Sequence, residues 1–401
     1  MKEDMKRKCR VLIISGVIPA INRGGGCLAL HRHFIEREDF EVMVTGSSLD
    51  GCSCENTIRL SHSRVAHRLR RTCLARLVSN IEFFINWCRL PTGLERAARD
   101  WNPDIIFTVP DNIHSGWASR LAVGLGVPLV TNYQDLFPLS RFINLNNRPY
   151  DWVSRWLMRR FHQLHERSEL VFYTSEGMRD WFGGHANGHV LYPIGDQVTV
   201  NVPVRHDAAD ETVLVYAGNC YGAYGRMLLR LANRLIDSSS IKLRIYAVGN
   251  DWLDNDVKRF QDAGIYRGYI PFEKLKAELD AADAYLTVMS FEPEEKPFVQ
   301  TSFTTKWLDY APCAKPVFVW APLYSSAATF ALEHKCGVVV DVDDDKQVVN
   351  AVKATMSNPD AVCQVSEAST VVANGCLSAG AIHRRLKENL DSIAPCKFTV
   401  R

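Results

Sequence analysis

No stretch of the 401-residue sequence approaches the roughly 18 apolar residues in a row that mark a membrane-spanning helix. Residues 1–10 are charged, and only the short run 11–14 follows, too brief for the core of a signal peptide. The expected location is cytoplasmic. An excess of charge of one sign is also missing. The 47 basic and 45 acidic residues nearly cancel, so the global positive bias of a nucleic-acid binder is absent and no nucleic-acid partner is expected. No CxxC or HExxH pair occurs, and His31 and His33 flank Arg32 so that they would point apart at a helix start; no metal is expected. There is no GxSxG elbow and no P-loop. The loop after the first apolar run, Gly16-Val17-Ile18-Pro19-Ala20, lacks the further glycines of a dinucleotide fingerprint, which argues against a nicotinamide oxidoreductase. Twelve cysteines are present, but they are scattered through apolar segments, and Cys52 and Cys54 are too close for a CxxC pair. They fit reduced thiols better than a disulfide framework.

What is present is alternation. Apolar runs at 11–15, 41–45, 104–109, 128–132, 170–174 and 190–192 read as strands, separated by helical patterns at 28–37, 116–125 and 152–167. The polar, aperiodic stretch 196–211 reads as a linker. A second series follows, with strands at 213–217, 243–248, 265–269, 284–288, 317–320 and 337–340. Its helices fall at 227–235, 252–263, 272–281, from 325, at 348–356 and at 379–393. The pattern predicts an α/β chain of two doubly wound, Rossmann-like domains facing a central cleft. Residues 1–200 would form the first domain and 211–375 the second, with 376–401 a helix packing back on the first; the family resemblance set out below implies that the first binds the acceptor and the second the nucleotide sugar.

Several constellations could carry chemistry. The segment Ser302-Phe303-Thr304-Thr305-Lys306-Trp307-Leu308-Asp309-Tyr310 reads as one helix capped by Ser302 or Thr304. Lys306 and Asp309 share a face of it, so its positive end and Lys306 suit a diphosphate while Asp309 suits ribose hydroxyls. Gly24, Gly25 and Gly26 precede a helix and permit close backbone approach to a phosphate or sugar. Gly218 and Asn219 open a glycine-bearing loop after a strand, and Arg226 is placed at the start of the next helix, within reach of a phosphate. Glu292 lies in an acidic loop that could hold sugar hydroxyls, although a solvated run of charge is the more ordinary reading of it. Asp135 and His114 lie just past strand ends, where an acid or imidazole could serve an acceptor hydroxyl, and equally where turn residues sit. The segment from Arg64 to Arg76 alternates arginine with Val65, Leu69 and Leu74, a basic amphipathic pattern suited to an anionic membrane surface or to an ordinary solvated face.

Taken together, these residues resemble a GT-B-fold glycosyltransferase of the family 4 type, whose members retain anomeric configuration and take a sugar from a nucleotide donor. The segment from Ser302 to Val317 is similar to that family's donor helix, and Tyr216-Ala217-Gly218-Asn219 to the opening of its second domain. Gly268-Tyr269-Ile270 looks like the strand whose backbone reads the base, and Asp135-Leu136-Phe137-Pro138 like an Asp-Leu-Trp-Pro element of one branch. The resemblance implies that Lys306 holds the diphosphate and that Asp309 binds the ribose. It places Gly218, Asn219, Arg226, Gly268, Ile270, Glu292 and Thr305 around the donor, with Asp135, His114 and Lys306 as the catalytic candidates. Gly24–Gly26 would form the phosphate and acceptor loop. The chain departs from the family at Thr301, where a glutamate is usual, at Asp309 in place of glutamate, at Thr304 and Thr305 in place of Pro and Ser, and at Ala314 in place of glycine.

The expected reaction is retaining transfer from a UDP- or GDP-linked sugar to a polysaccharide, lipid-linked or small-molecule hydroxyl, with no metal and with the chain peripheral on a membrane. Two rival readings stand beside it: a sugar-nucleotide epimerase, and a non-catalytic binding or assembly protein that keeps the fold.

Overall fold

The computed structural model describes residues 7–21, 24–46, 49–59, 73–111, 113–136, 151–203 and 211–394. The chain divides into two compact units. The first is Met1–Ile194 together with Ile382–Arg401, and the second is Gly195–Ala381.

Unit 1 is built on a parallel sheet of seven strands: β1 (Cys9–Ile14), β2 (Phe40–Gly46), β3 (Thr57–Arg59), β4 (Ile105–Thr108), β5 (Leu129–Tyr133), β6 (Leu170–Tyr173) and β7 (Gly188–Val190), in the order β3-β2-β1-β4-β5-β6-β7. β4, β5 and β6 are buried along their whole length, as expected for strands of a parallel sheet covered on both faces. Leu12, Ile14 and Ile106 pack with Trp117 and Leu121 of the helix His114–Leu125. The order reverses direction between β1 and β4, and such a switch point opens a crevice beyond the strands' carboxyl ends.

Unit 2 repeats the plan with six parallel strands: β8 (Thr212–Ala217), β9 (Ile241–Tyr246), β10 (Tyr266–Gly268), β11 (Ala284–Val288), β12 (Val317–Trp320) and β13 (Val338–Val340), in the order β10-β9-β8-β11-β12-β13. Its switch point lies between β8 and β11. Met227, Leu228, Leu231 and Leu235 recur at helical spacing, and the helix Gly222–Leu235 buries them on Leu214, Ile245 and Leu286. Each such leucine contributes roughly 1.5–3 kcal/mol by leaving water.

The structure revises several expected elements. The stretch 195–203, inside the expected linker, packs on unit 2, where Asn201 N–H donates to the Pro312 carbonyl (2.8 Å). A helix Pro359–Asn374, absent from the expectations, starts at Asn358, whose side chain accepts from Asp360 and Ala361 N–H groups. Among the described residues between 59 and 101 there are two helices, Ala75–Cys88 and Leu94–Trp101. Arg64, Arg68, Arg70 and Arg71 lie outside the described residues. No helix among the described residues is long and apolar enough to cross a membrane.

The last helix, Ala379–Ile393, carries a buried polar cluster in unit 1. His383 Nε2 pairs with Asp39 Oδ2 (2.8 Å), and His383 Nδ1 lies 3.2 Å from Nδ1 of the buried His33. Burial, then the nearby His383 and Arg37, hold the His33 pKa well below 6.5. Burial likewise lowers His383, against the pull of Asp39. A histidine neutral when folded and protonated when unfolded contributes stability in full above the unfolded pKa, and loses it as pH falls. Melting temperature should therefore drop as pH falls through 6.5, more steeply in the wild type than in His33→Gln. Equal slopes in a pH series of melts would show that the cluster does not govern acid stability.

Candidate functional site

Each unit places its chemically active side chains at the carboxyl ends beside its switch point. In unit 1, Gly16 follows β1 and Asp111 follows β4. The Asp111 carboxylate accepts from Gly16 N–H (2.8 Å), from His114 N–H (2.9 Å) and from His114 Nδ1 (2.6 Å). A Cβ on Gly16 would collide with that carboxylate, so glycine is needed there. Burial works against both charges. It is outweighed at Asp111 by the His114 charge and the hydrogen bonds, which pull the carboxyl below its ordinary value. At His114 the Asp111 charge and hydrogen bond outweigh burial and raise the imidazole above 6.5. Each group thus favours the charged form of the other, with the Trp117 ring edge-on to His114 at 5.1 Å.

Two further groups join this end of the sheet. Gly24 precedes the helix Gly25–Phe34 as its N-cap, and a Cβ on Gly26 would run into the Gln134 amide. Asp135, just after β5, opens to solvent, yet the protein packed around it pushes its carboxyl pKa upward.

In unit 2 the helix bearing Lys306 and Asp309 is short. It spans Lys306–Tyr310, with Thr305 as N-cap and no side-chain cap. The expected hydroxyl-capped helix from Ser302 is therefore corrected. Ser302 closes a separate helix, Lys296–Thr301, opened by Pro297, while Phe303 and Thr304 are buried in the connection. The capped dipole end inferred from sequence is not built, and the cation itself is what remains. Lys306 lies along the backbone of Gly218, the residue after β8. A Cβ on Gly218 would stand 2.6 Å from Lys306 Cε and 2.9 Å from Nζ, and its φ is 151°. Nζ sits 5.1 Å from the centroid of the Tyr216 ring, a cation–π contact. Among the described residues no carboxylate pairs directly with it. Burial lowers the Lys306 pKa to about 8, partly opposed by the charge of Asp309. Tyr310 fixes the helix to the strand end by accepting from Ala217 N–H (2.9 Å).

Asp309 lines a pocket of about 130 Å³ with Asp196, Asn201, Lys276, Asp280 and Leu308, all of unit 2. Among the described residues no group of three His, Cys, Asp or Glu side chains is placed to hold a metal ion.

Residues 58–190 match the family model described as a glycosyl transferase 4-like domain. That stretch holds β4 to β7, the Asp111–His114 pair and Asp135. That match covers a third of the chain, and the chain as a whole has the GT-B fold. Solved structures share its fold along nearly the whole length. HepE of Anabaena in complex with UDP-glucose is 15% identical with a TM-score of 0.62, covering 96% of this chain and 99% of that one. Sucrose-phosphate synthase of Thermosynechococcus elongatus is 15% identical with a TM-score of 0.61 at 96% and 99% coverage. A glycosyltransferase of Rickettsia africae is 12% identical with a TM-score of 0.66 at 98% and 100% coverage. No curated protein matches the sequence.

The candidate residues fall into one group per unit. Unit 1 holds Gly24, Gly25, Gly26, His114 and Asp135. Unit 2 holds Gly218, Asn219, Thr305, Lys306 and Asp309, with Gly268 and Ile270 at the end of edge strand β10. Thr305 is exposed. Asn219 is spent inside its loop, its carbonyl accepting from the Tyr216 hydroxyl and its Oδ1 from Tyr221 N–H. Arg226 is not at a helix start. It is the fifth residue of Gly222–Leu235, and its guanidinium pairs with Glu292, so these two candidates occupy each other. The start of that helix is filled by the chain's own acid, since Gly222 N–H donates to Asp251 Oδ2 (2.8 Å). Thr301, at the family's glutamate position, is fully buried and donates its hydroxyl to the Pro297 carbonyl (2.8 Å). Asp111, Gly16 and Tyr216 were not singled out from sequence. The signal for Asp111 was its place three residues before His114.

Asp111→Asn should bring the His114 pKa from above 6.5 to below it, because burial then acts unopposed. An NMR titration of the His114 ring reads this directly. An unchanged midpoint would mean that Asp111 does not hold the imidazolium.

Proposed function

We propose that this glycosyltransferase moves a sugar from a UDP- or GDP-linked donor to the hydroxyl of a saccharide, lipid-linked or small-molecule acceptor, with retention of anomeric configuration. Unit 2 takes the donor and unit 1 the acceptor. The observation that carries the reading is Lys306, a half-buried cation on the Gly218 backbone at the unit 2 switch point. A diphosphate gives that ammonium the anionic partner that it lacks, and the HepE structure with UDP-glucose offers a precedent for such a ligand on this fold.

As the bond from the anomeric carbon to the diphosphate breaks, charge grows on the leaving oxygen. A preorganised ammonium in a water-poor site stabilises that charge more in the transition state than in the ground state. Lys306 thus takes the role that a divalent cation plays in other transferases. Asp309 binds the ribose, Thr305 and the backbone of Gly218 flank the phosphates, and Gly268 and Ile270 read the base through their backbone. Arg226 adds a second cation when it exchanges Glu292 for phosphate.

In unit 1, His114 is held as an imidazolium and donates. Asp135, with its raised pKa, is the better acceptor for the acceptor hydroxyl's proton. The chain works on the cytoplasmic face, with the arginine-rich stretch of residues 64–76 supporting peripheral attachment to anionic membrane.

Incubation with UDP- and GDP-sugars and a panel of acceptors, followed by NMR of the product anomeric centre, tests the reaction. The donor's configuration should persist, and Lys306→Ala should lower kcat by about 10²–10³-fold, as for loss of one oxyanion donor. An inverted product would overturn retention. Undiminished turnover in Lys306→Ala would remove that residue from the mechanism.

A further inference from the structure

We propose that Tyr216, near the end of β8, is the positioning residue of the donor site: its ring carries the Lys306 ammonium and its hydroxyl shapes the turn over which that side chain passes. This role rests on the reading of Lys306 as the diphosphate cation and names the residue that sets its place and its charge. Alternation along β8 turns Leu214 and Tyr216 toward the helix Gly222–Leu235, where both join the core with Leu228 and Leu231. Lys306 starts from the other face of the sheet. Tyr310 of its helix stacks on Tyr285 (ring centroids 4.6 Å apart), whereas the neighbouring Leu286 faces the helix Gly222–Leu235. The lysine therefore crosses the strand end at Gly218 to reach a ring rooted on the far side. A Cβ on Gly218 would stand 2.9 Å from Lys306 Nζ and 3.4 Å from the Tyr216 hydroxyl oxygen, so both side chains converge on that residue. Nζ lies 5.1 Å from the ring centroid, within cation–π range.

An aliphatic side chain could line this core, but it would give nothing back to the charge. The negative face of the ring attracts the ammonium and not the neutral amine, which favours the charged form against burial. The hydroxyl has a separate task. It donates to the Asn219 carbonyl (2.5 Å) and closes the turn around Gly218, whose φ is 151° and whose N–H donates to the Tyr246 carbonyl (2.9 Å). The titratable groups facing the ring and the ammonium are Asp309 and Tyr310 on the lysine's own helix, and Cys220 and Tyr224 after β8. Burial holds Tyr216, Tyr224 and Tyr310 above 10 and pushes Cys220 up to about 12, so these tyrosines and the thiol stay neutral near pH 8. Lys306, brought to about 8, is the member of the set that titrates there.

Titration of the Lys306 Cε resonance, in protein labelled with carbon-13 at lysine Cε and free of nucleotide, tests the role of the ring. Loss of the signal in Lys306→Ala assigns it. Tyr216→Leu should lower the midpoint by about one pH unit, the equivalent of one desolvated cation–π contact. Tyr216→Phe keeps the ring and should leave the midpoint in place. Hydrogen exchange tests the role of the hydroxyl: in Tyr216→Phe the Gly218 amide should exchange about tenfold faster, as for loss of one buried hydrogen bond. Circular dichroism melts check that each variant folds, and the phenylalanine variant, which removes one oxygen, carries the test by itself if the leucine variant does not. In calorimetric titrations of UDP and GDP, the pH above which binding weakens should move down with the midpoint in Tyr216→Leu and stay put in Tyr216→Phe. An unchanged midpoint in Tyr216→Leu, a displaced one in Tyr216→Phe, or unchanged exchange at Gly218 would overturn the proposal. Midpoints that move as expected while UDP and GDP bind the wild type and Lys306→Ala alike would overturn the donor reading instead, because the midpoints are measured without nucleotide.

Discussion

A glycine within two residues of the end of the first strand of each sheet sets the chemistry of both units. Beyond β1, Gly16 lets the Asp111 carboxylate lie on the backbone, where it takes the glycine N–H and orients His114. Beyond β8, Gly218 lets the Lys306 side chain run along the chain, against the ring of Tyr216. In both places a side chain from a later element crosses to the strand end across the switch point of its sheet. A methyl group at either glycine would block that crossing. The parallel strands behind them are buried and rigid, so the position of each charged group is fixed by the sheet rather than by a loop.

The two units treat their buried charge differently. In unit 1 the carboxylate and imidazole satisfy each other, each favouring the other's charged form, and their hydrogen bond is in place before any substrate arrives. In unit 2 Lys306 meets, among the described residues, an aromatic face and the more distant charge of Asp309, and burial brings its pKa down to about 8. A cation left this close to neutrality is sensitive to any anion that enters. That sensitivity separates a binding site from a structural ion pair. Arg226, by contrast, already holds Glu292 at the surface, and Asp251 fills the neighbouring helix start. The available positive charge is therefore concentrated on Lys306.

Much of the fold was legible because parallel strands are apolar along their length. The runs at Ala284–Val288 and Val317–Trp320 and the helix Ala379–Ile393 have the same limits in sequence and structure. The helix Pro359–Asn374 was not legible from periodicity. Its serines and β-branched valines are weak helix formers, although Asn358-Pro359 is a start signal that could have been used. The hydroxyls before Lys306 looked like caps but are packed inward, a choice made by tertiary burial that no local pattern reveals. Lys306, Gly218, His114 and Asp135 were visible as types in suitable loops. Their partners were not, because Gly16 with Asp111 and Arg226 with Glu292 meet across 95 and 66 residues of chain.

The account turns on a lysine that must be protonated to hold a diphosphate. Calorimetric titration of UDP and GDP into the wild type and Lys306→Ala across the pH range above neutrality tests it most directly. In the wild type one of the two nucleotides should bind, with affinity falling by about tenfold per pH unit above 8 as protonation of the lysine becomes part of the binding reaction. Lys306→Ala should bind more weakly and lose that slope. Equal affinity in both proteins, with the same dependence on pH, would contradict the assignment of Lys306 as the diphosphate cation.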